Sequence, residues 1–227
     1  MKNYLALLAI LMFSVNVLFS KDNGIIRTTP HFDKLRVTSN VNVYLNHGDS
    51  ISVRVVANGI DPVNVLTEVK ATTLEIGLSR GIHRDYSVDI YITYTDLREV
   101  YVGSSGKISF QDKLTCDKIT LEAGTNASID AELNMRSLEV ISSNGGSIRL
   151  GGKVDYYEAK VRTAGILSAL ELSADSVFVS VVSKGVAKVM AKELIEANVR
   201  SGGSLTYTGS AKQKKIQTGV GATIIEQ

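Results

Sequence analysis

A motif that returns about every 19 residues from Leu97 onward constrains this chain more than any other feature. Each copy has an aliphatic residue, any residue, a second aliphatic, any residue, a small residue, a turn that usually contains glycine, and a further aliphatic. Seven copies follow one another in register. A period near 20 with strand chemistry is typical of a solenoid, because no coil is long enough to bury its own apolar face. The sequence therefore predicts stacked parallel coils over residues 97–227. A compact β-sandwich is the alternative, but it does not explain the fixed period.

Aligning the seven copies predicts four columns of stacked side chains. The first column holds Val100, Ile119, Leu138, Ala159, Val179 and Ala197, with Lys214 as the exception in the seventh copy. The second holds Val102, Leu121, Val140, Val161, Val181, Val199 and Ile216. The third holds Ser104, Ala123, Ser142, Thr163, Ser183, Ser201 and Thr218. The fourth, after the turn, holds Ile108, Ile129, Ile148, Leu167, Ala187, Leu205 and Ile224. In this alignment Val140 and Val161 are neighbours in one buried stack.

The turn between the third and fourth columns is expected to form a tight corner. Glycine adopts the positive φ of a tight corner at no steric cost, and asparagine tolerates it next best. No proline follows Pro62, as required if every coil donates backbone N–H groups to the next. The predicted corner pairs are Ser105-Gly106, Asn126-Ala127, Gly145-Gly146, Ala164-Gly165, Lys184-Gly185, Gly202-Gly203 and Val220-Gly221.

The preceding segment, residues 31–96, shows the alternation of half-buried strands without the long period. Aliphatic residues alternate with polar ones over 35–55, 74–78 and 88–94, with turns between them. This pattern predicts an antiparallel β meander ahead of the solenoid. Residues 63–71 could also be helical, although their β-branched side chains disfavour a helix.

The first twenty residues have the pattern of a secretory signal peptide. Lys2 precedes an uncharged apolar run over 4–19, and Ser20 stands before the charged pair Lys21-Asp22. A membrane anchor is the alternative, but the run of about sixteen residues is shorter than the roughly 20 that span a bilayer. We therefore expect cleavage after residue 20, a linker over 21–30, and export to the periplasm, the cell surface or the medium.

Composition excludes several classes of function. The 25 Lys and Arg residues nearly balance the 23 Asp and Glu residues, and the formal net charge of +2 does not favour a nucleic-acid-binding protein. A single cysteine excludes an internal disulfide framework and any multi-cysteine metal site. His31, His47 and His83 lie outside the repeats. We expect no cofactor, no metal site and no catalytic residues, and the ligand-binding residues are unknown.

Four groups of residues could carry chemistry, and each also has a structural explanation. Six carboxylates of the repeats would form a glycan-cleaving site only if two of them met on adjacent coils; otherwise they are a solvated face. Three tyrosines, Tyr156, Tyr157 and Tyr207, could stack on sugars. Cys116 is expected to be a small apolar residue at a coil junction. A basic run would be a solubilising turn or an attraction for acidic glycans. The carboxylates are Asp112, Asp117, Glu122, Asp130, Glu132 and Glu139, and the basic run is Lys212, Lys214 and Lys215.

Two glycine-containing segments resemble nucleotide-binding loops only superficially. Residues 103–108, Gly-Ser-Ser-Gly-Lys-Ile, have glycines too close together for a phosphate loop, and no Ser or Thr follows Lys107. Residues 219–221 lack the third glycine of a dinucleotide-binding fingerprint. Both segments are predicted to be solenoid corners.

The opening Phe32-Asp33-Lys34-Leu35-Arg36-Val37, together with the repeats, resembles the bacterial family "putative auto-transporter adhesin, head GIN domain". The aliphatic alternation of 41–55 and 74–97 matches it, as do the glycine-serine turns at 103–108 and 201–207. The resemblance implies an all-β, right-handed parallel β-helix-like solenoid and an adhesin-like role. It implies no catalytic or binding residues. Several turns have lost a glycine of the family pattern, as at Asn126-Ala127.

Together these observations predict an exported, non-enzymatic, adhesin-like protein that recognises a glycan, a cell-envelope polymer or a protein. The alternatives are a β-helix enzyme that acts on glycans and a purely structural envelope protein. A homo-oligomer formed through the open end of the solenoid is also expected, because the last coil exposes unpaired backbone groups.

Overall fold

The computed structural model describes residues 24–227, so the predicted signal peptide lies outside the described residues. Within this range the chain forms β-strands and one short 3-10 helix, Pro62–Asn64. The strands are β1 Ile25–Arg27, β2 Lys34–Val37, β3 Asn42–His47, β4 Ser52–Asn58, β5 Val65–Lys70, β6 Thr73–Leu78, β7 Ser87–Tyr94, β8 Glu99–Val102, β9 Lys107–Phe110, β10 Leu114–Ala123, β11 Ser128–Ser143, β12 Ser147–Arg162, β13 Ile166–Val181, β14 Val186–Val199, β15 Ser204–Thr208, β16 Gln213–Thr218 and β17 Thr223–Glu226. No helix among these residues has the length and apolarity that a bilayer crossing requires.

The predicted all-β fold, a parallel solenoid that follows an N-terminal sheet with antiparallel pairs, is confirmed. From β8 to β15, every strand pairs in parallel with a strand one coil further along the stack. The central coils are single long strands of 14 to 16 residues that bend around the core. Each bends because its alternate side chains all face the same apolar interior.

One tight corner per coil separates successive long strands, as predicted, but its geometry differs from the prediction in one respect. The two positive-φ residues lie one position earlier than expected, for example at Asn144 and Gly145, and at Thr163 and Ala164. Two consecutive positive φ values are the type I′ pattern, and the turn closes where the Gly146 amide donates to the Ser143 carbonyl at 2.9 Å. Amides also bond from corner to corner, as Ala164 does to the Ser183 carbonyl at 3.0 Å.

The glycine that follows each of these pairs is needed for space and not for backbone conformation. Neither Gly146 nor Gly165 has a positive φ. A Cβ at Gly165 would lie 2.3 Å from the carbonyl oxygen of Ser142 on the preceding coil, and a Cβ at Gly146 would lie 2.2 Å from that of Ala123. The corner glycine therefore lets two coils approach each other closely.

The fourth predicted column is confirmed along its whole length. Ile108 pairs with Ile129, and the ladder continues through Ile148, Leu167, Ala187 and Leu205 to Ile224. Its members from Ile108 to Leu205 are at most 2% exposed. This ladder is the centre of the solenoid core.

The first and second predicted columns are wrong by two residues in part of the stack. Val140 lies opposite Ala159, and Val161 lies opposite Ser142, so Val140 and Val161 are not direct neighbours. The third column slips in the same way, since Ala123 lies opposite Val102. A slip of two residues leaves every inward side chain inward, so the alternation identifies the face but not the register.

The N-terminal segment is a mixed sheet that closes one end of the stack. The predicted antiparallel pairs are present between β4 and β7 and between β5 and β6. In addition, β2 lies between β6 and β8, and β3 lies between β7 and β9, all in parallel. Residues 65–70 are a strand and not a helix, because they pair with β6 along their full length. The expected linker, 21–30, contains β1, a three-residue strand too short to show an alternation.

Charged side chains cover the apolar core at the C-terminal end of the stack. Lys214 lies opposite Ile195, and Glu226 lies opposite Tyr207, so both occupy positions that face the core in the preceding coil. Their side chains form an ion pair with each other. Tyr207 Oη donates a 2.6 Å hydrogen bond to the same carboxylate. The exception at Lys214 in the first column is thus part of a polar cap, which terminal coils of solenoids require.

Candidate functional site

An outward-facing concavity of the solenoid surrounds Phe178. We call it the Phe178 groove; it has a volume of about 370 Å³ and is lined by Glu158, Phe178, Ser180, Glu196, Asn198, Lys215 and Gln217, over a floor of small aliphatic residues. Phe178 lies opposite Glu158 on one side and Glu196 on the other. Its ring is 36% exposed, which is unusual for phenylalanine on a polar face. The groove therefore combines one apolar ring with donors and acceptors on both sides.

Ion pairs hold the polar side chains beside this groove. Lys160 Nζ lies 3.1 Å from Glu158 and 3.2 Å from Glu139, and Lys215 Nζ lies 3.6 Å from Glu196. Hydrogen bonds to Glu158 and Glu139 raise the pKa of Lys160, so this cation stays charged at neutral pH. The pairs leave the groove close to neutral, with amide and hydroxyl groups still available.

Four of the six candidate carboxylates lie apart from one another in the structure. Glu122 and Glu139 flank the ladder of Leu121 and Val140 on opposite sides. Asp112 accepts hydrogen bonds of 3.3 Å from Asn46 and from the His47 amide, which ties it to the N-terminal sheet. Asp117 is exposed on β10. None of these four meets a second carboxylate of the set at a matching position on an adjacent coil.

Asp130 and Glu132 do line a common cleft, with a carboxylate that the sequence did not single out. Glu132 lies opposite Gly151, which lies opposite Glu171, so two carboxylates share one position with a glycine between them. Arg149 Nε lies 3.7 Å from Asp130, and Lys113 Nζ lies 2.8 Å from Glu132. Glu171 was missed because the register shifts between Arg149 and Gly151, which alternation cannot reveal. Residues 24–227 contain no group of three or more His, Cys, Asp or Glu arranged to hold a metal.

Tyr156, Tyr157 and Tyr207 do not form a sugar platform. Tyr157 is fully buried and Tyr207 is 6% exposed, so only Tyr156 presents its ring to solvent. The outward aromatic rings that line concavities are instead the exposed Phe178 and the partly exposed Tyr44. Aromatic residues at outward positions of an alternating strand are the signal that could have found them.

Cys116 lies within strand β10, opposite Met135, and not at a coil junction as expected, whereas the histidines lie in the N-terminal segment outside the repeats. Cys116 is partly buried and packs against the core. Burial, together with Asp96 and Asp117, raises the pKa of its thiol, so the thiol is protonated at neutral pH and a poor nucleophile. His47 stacks edge-on with Tyr94, and His83 with Tyr86.

In the described chain, the two glycine segments form corners of the solenoid and the lysines of the basic run form ion pairs. The Ser105 amide of segment 103–108 donates to Thr125, and the Gly106 amide closes its own turn, so neither amide is free for a phosphate. Segment 219–221 forms the corresponding corner, closed by the Ala222 amide. The three lysines of the basic run each pair with a carboxylate: Lys212 with Glu193, Lys214 with Glu226 and Lys215 with Glu196.

Solved structures with the same fold come from Bacteroides and Parabacteroides species. A "putative adhesin" from Bacteroides fragilis superposes with a TM-score of 0.80 and 22% identity, over 90% of this chain and 96% of that one. A "putative adhesin" from Parabacteroides merdae gives 0.70 and 17%, over 90% and 95%. A "putative lipid binding protein" from Parabacteroides distasonis gives 0.67 and 17%, over 90% and 96%. The comparison with curated proteins found no significant match.

The sequence itself matches a family over most of its length. Residues 31–211 match the family model described as "Putative auto-transporter adhesin, head GIN domain". This match supports an adhesin-like role, and the neighbouring structures show the same fold. It spans the N-terminal sheet and all but the last coil, so the chain belongs to the putative auto-transporter adhesin, head GIN domain family.

Proposed function

We propose that this chain is exported and acts as a non-enzymatic recognition protein, which binds a glycan, a cell-envelope polymer or a protein through the outward face of its solenoid. Family membership supports the adhesin-like part of this proposal. The single observation that carries it is the Phe178 groove, where an exposed ring lies between Glu158 and Glu196 on adjacent coils.

The chemistry of the groove favours binding over catalysis. Ligand sites usually join an apolar surface to a few well-placed polar groups, as the Phe178 ring is joined to Asn198, Gln217 and Lys215. The lining does hold two carboxylates, Glu158 and Glu196, but each of them pairs with a lysine. The Phe178 ring also lies between them, where a bond to be cleaved would have to lie. Outward side chains recur about every 4.8 Å along the stack, which suits a polymer that makes many weak contacts.

A retention experiment tests the proposal. Purified residues 21–227 are passed over immobilised envelope polysaccharide and over the protein fraction of the same envelope, as wild type and as Phe178→Ala. We expect retention of the wild type and at least a fivefold loss for the variant. Tyr156→Ala, which removes an exposed ring outside the groove, should be retained like the wild type. No retention of the wild type on either fraction would contradict recognition and favour a purely structural envelope protein.

The alternative, an enzyme that acts on glycans, draws on the Glu132–Gly151–Glu171 cleft. Glu132 and Glu171 are two coil steps apart, which places their positions roughly 9.6 Å apart along the stack. This is near the upper end of the spacing found in inverting glycosidases. Incubation with the same polysaccharide and measurement of new reducing ends tests it. Turnover that Glu132→Gln abolishes would contradict the non-enzymatic proposal, and absence of turnover with retention intact supports it.

Export rests on the signal-like residues 1–20. Amino-terminal sequencing of the protein from its native envelope should give Lys21 as the first residue. A retained Met1 would contradict cleavage.

The polar cap restricts the kind of contact by which two chains could associate through the last coil. Within residues 24–227, β16 pairs only with β14 and β17 pairs only with β15, while Lys214 and Glu226 cover the apolar core. Association would therefore use backbone pairing and not apolar stacking. The Gly219 amide points to β14, so the preceding Thr218 amide points to the open edge. Analytical ultracentrifugation should give a larger mass for the wild type than for Thr218→Pro. Equal monomer masses would contradict association through this edge.

A further inference from the structure

A second groove lies across the corners of the coils from the Phe178 groove. It begins at the last ring of a stack of aromatic side chains. Tyr44 and Tyr91 stack with centroids 5.0 Å apart and planes 19° apart. The Arg54 guanidinium covers the far face of this pair, 4.3 Å from the centroid of Tyr91. The stack follows the sheet from β4 through β7 to β3, so one face of the Tyr44 ring points along the solenoid.

The next strand leaves that ring face open. Tyr44 lies opposite Ser109, and Ser109 lies opposite Asp130. Strands about 4.8 Å apart place Tyr44 and Asp130 roughly 9.6 Å apart, with only a serine between them. A concavity of about 190 Å³ fills this gap, and we call it the Tyr44 groove; it is lined by Asn42, Tyr44, Lys107, Ser109, Ser128 and Asp130.

Polar groups surround the open face of the ring. Asn42 donates a 2.9 Å hydrogen bond from its amide nitrogen to Asp89, which orients its amide oxygen as an acceptor. In the described part of the chain no hydrogen bond or ion pair engages the Lys107 ammonium. Asp130 is half exposed and its one ion-pair contact, to Arg149, is 3.7 Å long, so its oxygens can still accept hydrogen bonds.

We propose that the Tyr44 groove binds one neutral pyranose ring of a glycan, stacked on the free face of Tyr44. This inference rests on the proposed recognition function and adds a ligand class and a second site to it. A stacked sugar ring lies about 4 Å from an aromatic ring, which leaves about 5.5 Å to Asp130, the room that a hydroxyl group and its hydrogen bond occupy.

The lining selects this ligand over other chemistries. Lys107 and Asp130 balance each other, so the groove has no excess charge for a polyanion. An aliphatic side chain would leave Asn42, Lys107 and Asp130 without partners, which is costly in a confined site. A pyranose has an apolar C–H face for the ring and hydroxyl groups at its edge for all three polar groups.

The groove is largely preorganised. Arg54 and Tyr91 hold the Tyr44 ring from behind, and the hydroxyl of Tyr44 lies 3.5 Å from Asp89. Burial, with Asp89 and Tyr91, raises the pKa of Tyr44, so its ring stays a neutral phenol at physiological pH. Binding therefore orders few side chains, which favours a measurable affinity for a small ligand.

Saturation-transfer NMR with methyl glycosides of glucose, galactose, mannose and N-acetylglucosamine tests the proposal on residues 21–227. At least one of them should bind, with Kd measured by titration. Tyr44→Phe keeps the ring and should bind within threefold of the wild type. Tyr44→Ala should weaken binding at least tenfold, and Ser109→Leu, which fills the groove from an outward position, should abolish it. Circular dichroism confirms that each variant is folded.

Other outcomes separate this inference from the proposed function. Binding of no methyl glycoside, or binding unaffected by Ser109→Leu, overturns the Tyr44 site even if Phe178-dependent retention on envelope polysaccharide persists. N-acetyltyrosinamide that binds as tightly as the best glycoside would show that the groove selects aromatic rings, which also overturns the proposal. Glycoside binding that depends on Tyr44 supports it even if Phe178→Ala has no effect on retention.

Discussion

Tyr207 Oη donates a 2.6 Å hydrogen bond to the carboxylate of Glu226, on the coil that closes the open end of the solenoid. This bond, burial and the nearby charge raise the pKa of Tyr207 from 10.0 to about 12. Hydrogen bonds from Lys214 and from Tyr207 lower the pKa of Glu226 below its ordinary 4.5. The cap is thus stabilised by a protonated phenol and an ionised carboxylate.

The stability of the cap should therefore fall at both extremes of pH. The contribution of Tyr207 is fully present below pH 10 and is lost as pH rises toward 12. The contribution of Glu226 is present above pH 4.5 and is lost as pH falls through its lowered pKa. Urea unfolding of wild type and Tyr207→Phe at pH 7 and pH 12 should show a difference that shrinks at pH 12. Tyr156→Phe is the control, and a difference that stays constant with pH would contradict the role of the phenol.

Tyr157 presents the opposite case, a phenol that is fully buried and has no hydrogen-bond partner for its hydroxyl among the described residues. Burial raises its pKa well above the usual range. An unsatisfied buried hydroxyl costs about 1–3 kcal/mol, so Tyr157→Phe should leave the free energy of unfolding unchanged or increase it by about 1 kcal/mol. Tyr157→Ala should lower it by about 3 kcal/mol or more, through the cavity. A loss above about 1 kcal/mol for Tyr157→Phe would mean that the hydroxyl has a partner.

Val140 and Ile141 are adjacent residues on opposite sides of β11. Val140 is fully buried opposite Leu121 and Ala159, and Ile141 lies outward between Glu122 and Lys160. Val140→Asp should destabilise the fold by several kcal/mol, since the core has no partner for a carboxylate. Ile141→Asp should change stability by less than about 1 kcal/mol. Equal shifts in thermal midpoint for the two variants would contradict the assignment of inward and outward faces.

Gly165 and Gly151 distinguish a close approach between coils from open space. A Cβ at Gly165 would collide with the Ser142 carbonyl, whereas the nearest atom to a Cβ at Gly151 lies 3.8 Å away. Gly165→Ala should cost about 1–3 kcal/mol, since the coils must separate locally to make room for the added methyl group. Gly151→Ala should be neutral or slightly stabilising. Chemical denaturation measures both, and a neutral Gly165→Ala would show that the corner relaxes freely.

The inward face of each strand and the position of each bend could be predicted from the sequence alone. Alternation along Ile129 to Ile148 identifies the inward face, because a strand that hides its apolar side chains must place every second residue inside. The glycine that recurs at 146, 165 and 185 marks the bends, because a Cβ at that position would collide with a carbonyl oxygen of the preceding coil. These properties are local, so residues within one coil are enough to reveal them.

The pairing of residues between neighbouring coils could be read only from the folded structure. The two-residue slip that places Val140 on Ala159, and the placement of β2 and β3 between later strands, depend on hydrogen bonds between distant segments. The same pairing brings Tyr44 to Ser109 and Phe178 to Glu196. Outward side chains are not marked by hydrophobicity in the sequence. A two-residue shift between neighbouring strands also leaves the alternation unchanged, so the alternation cannot reveal the register. Both candidate grooves therefore arise from register, which the folded stack alone establishes.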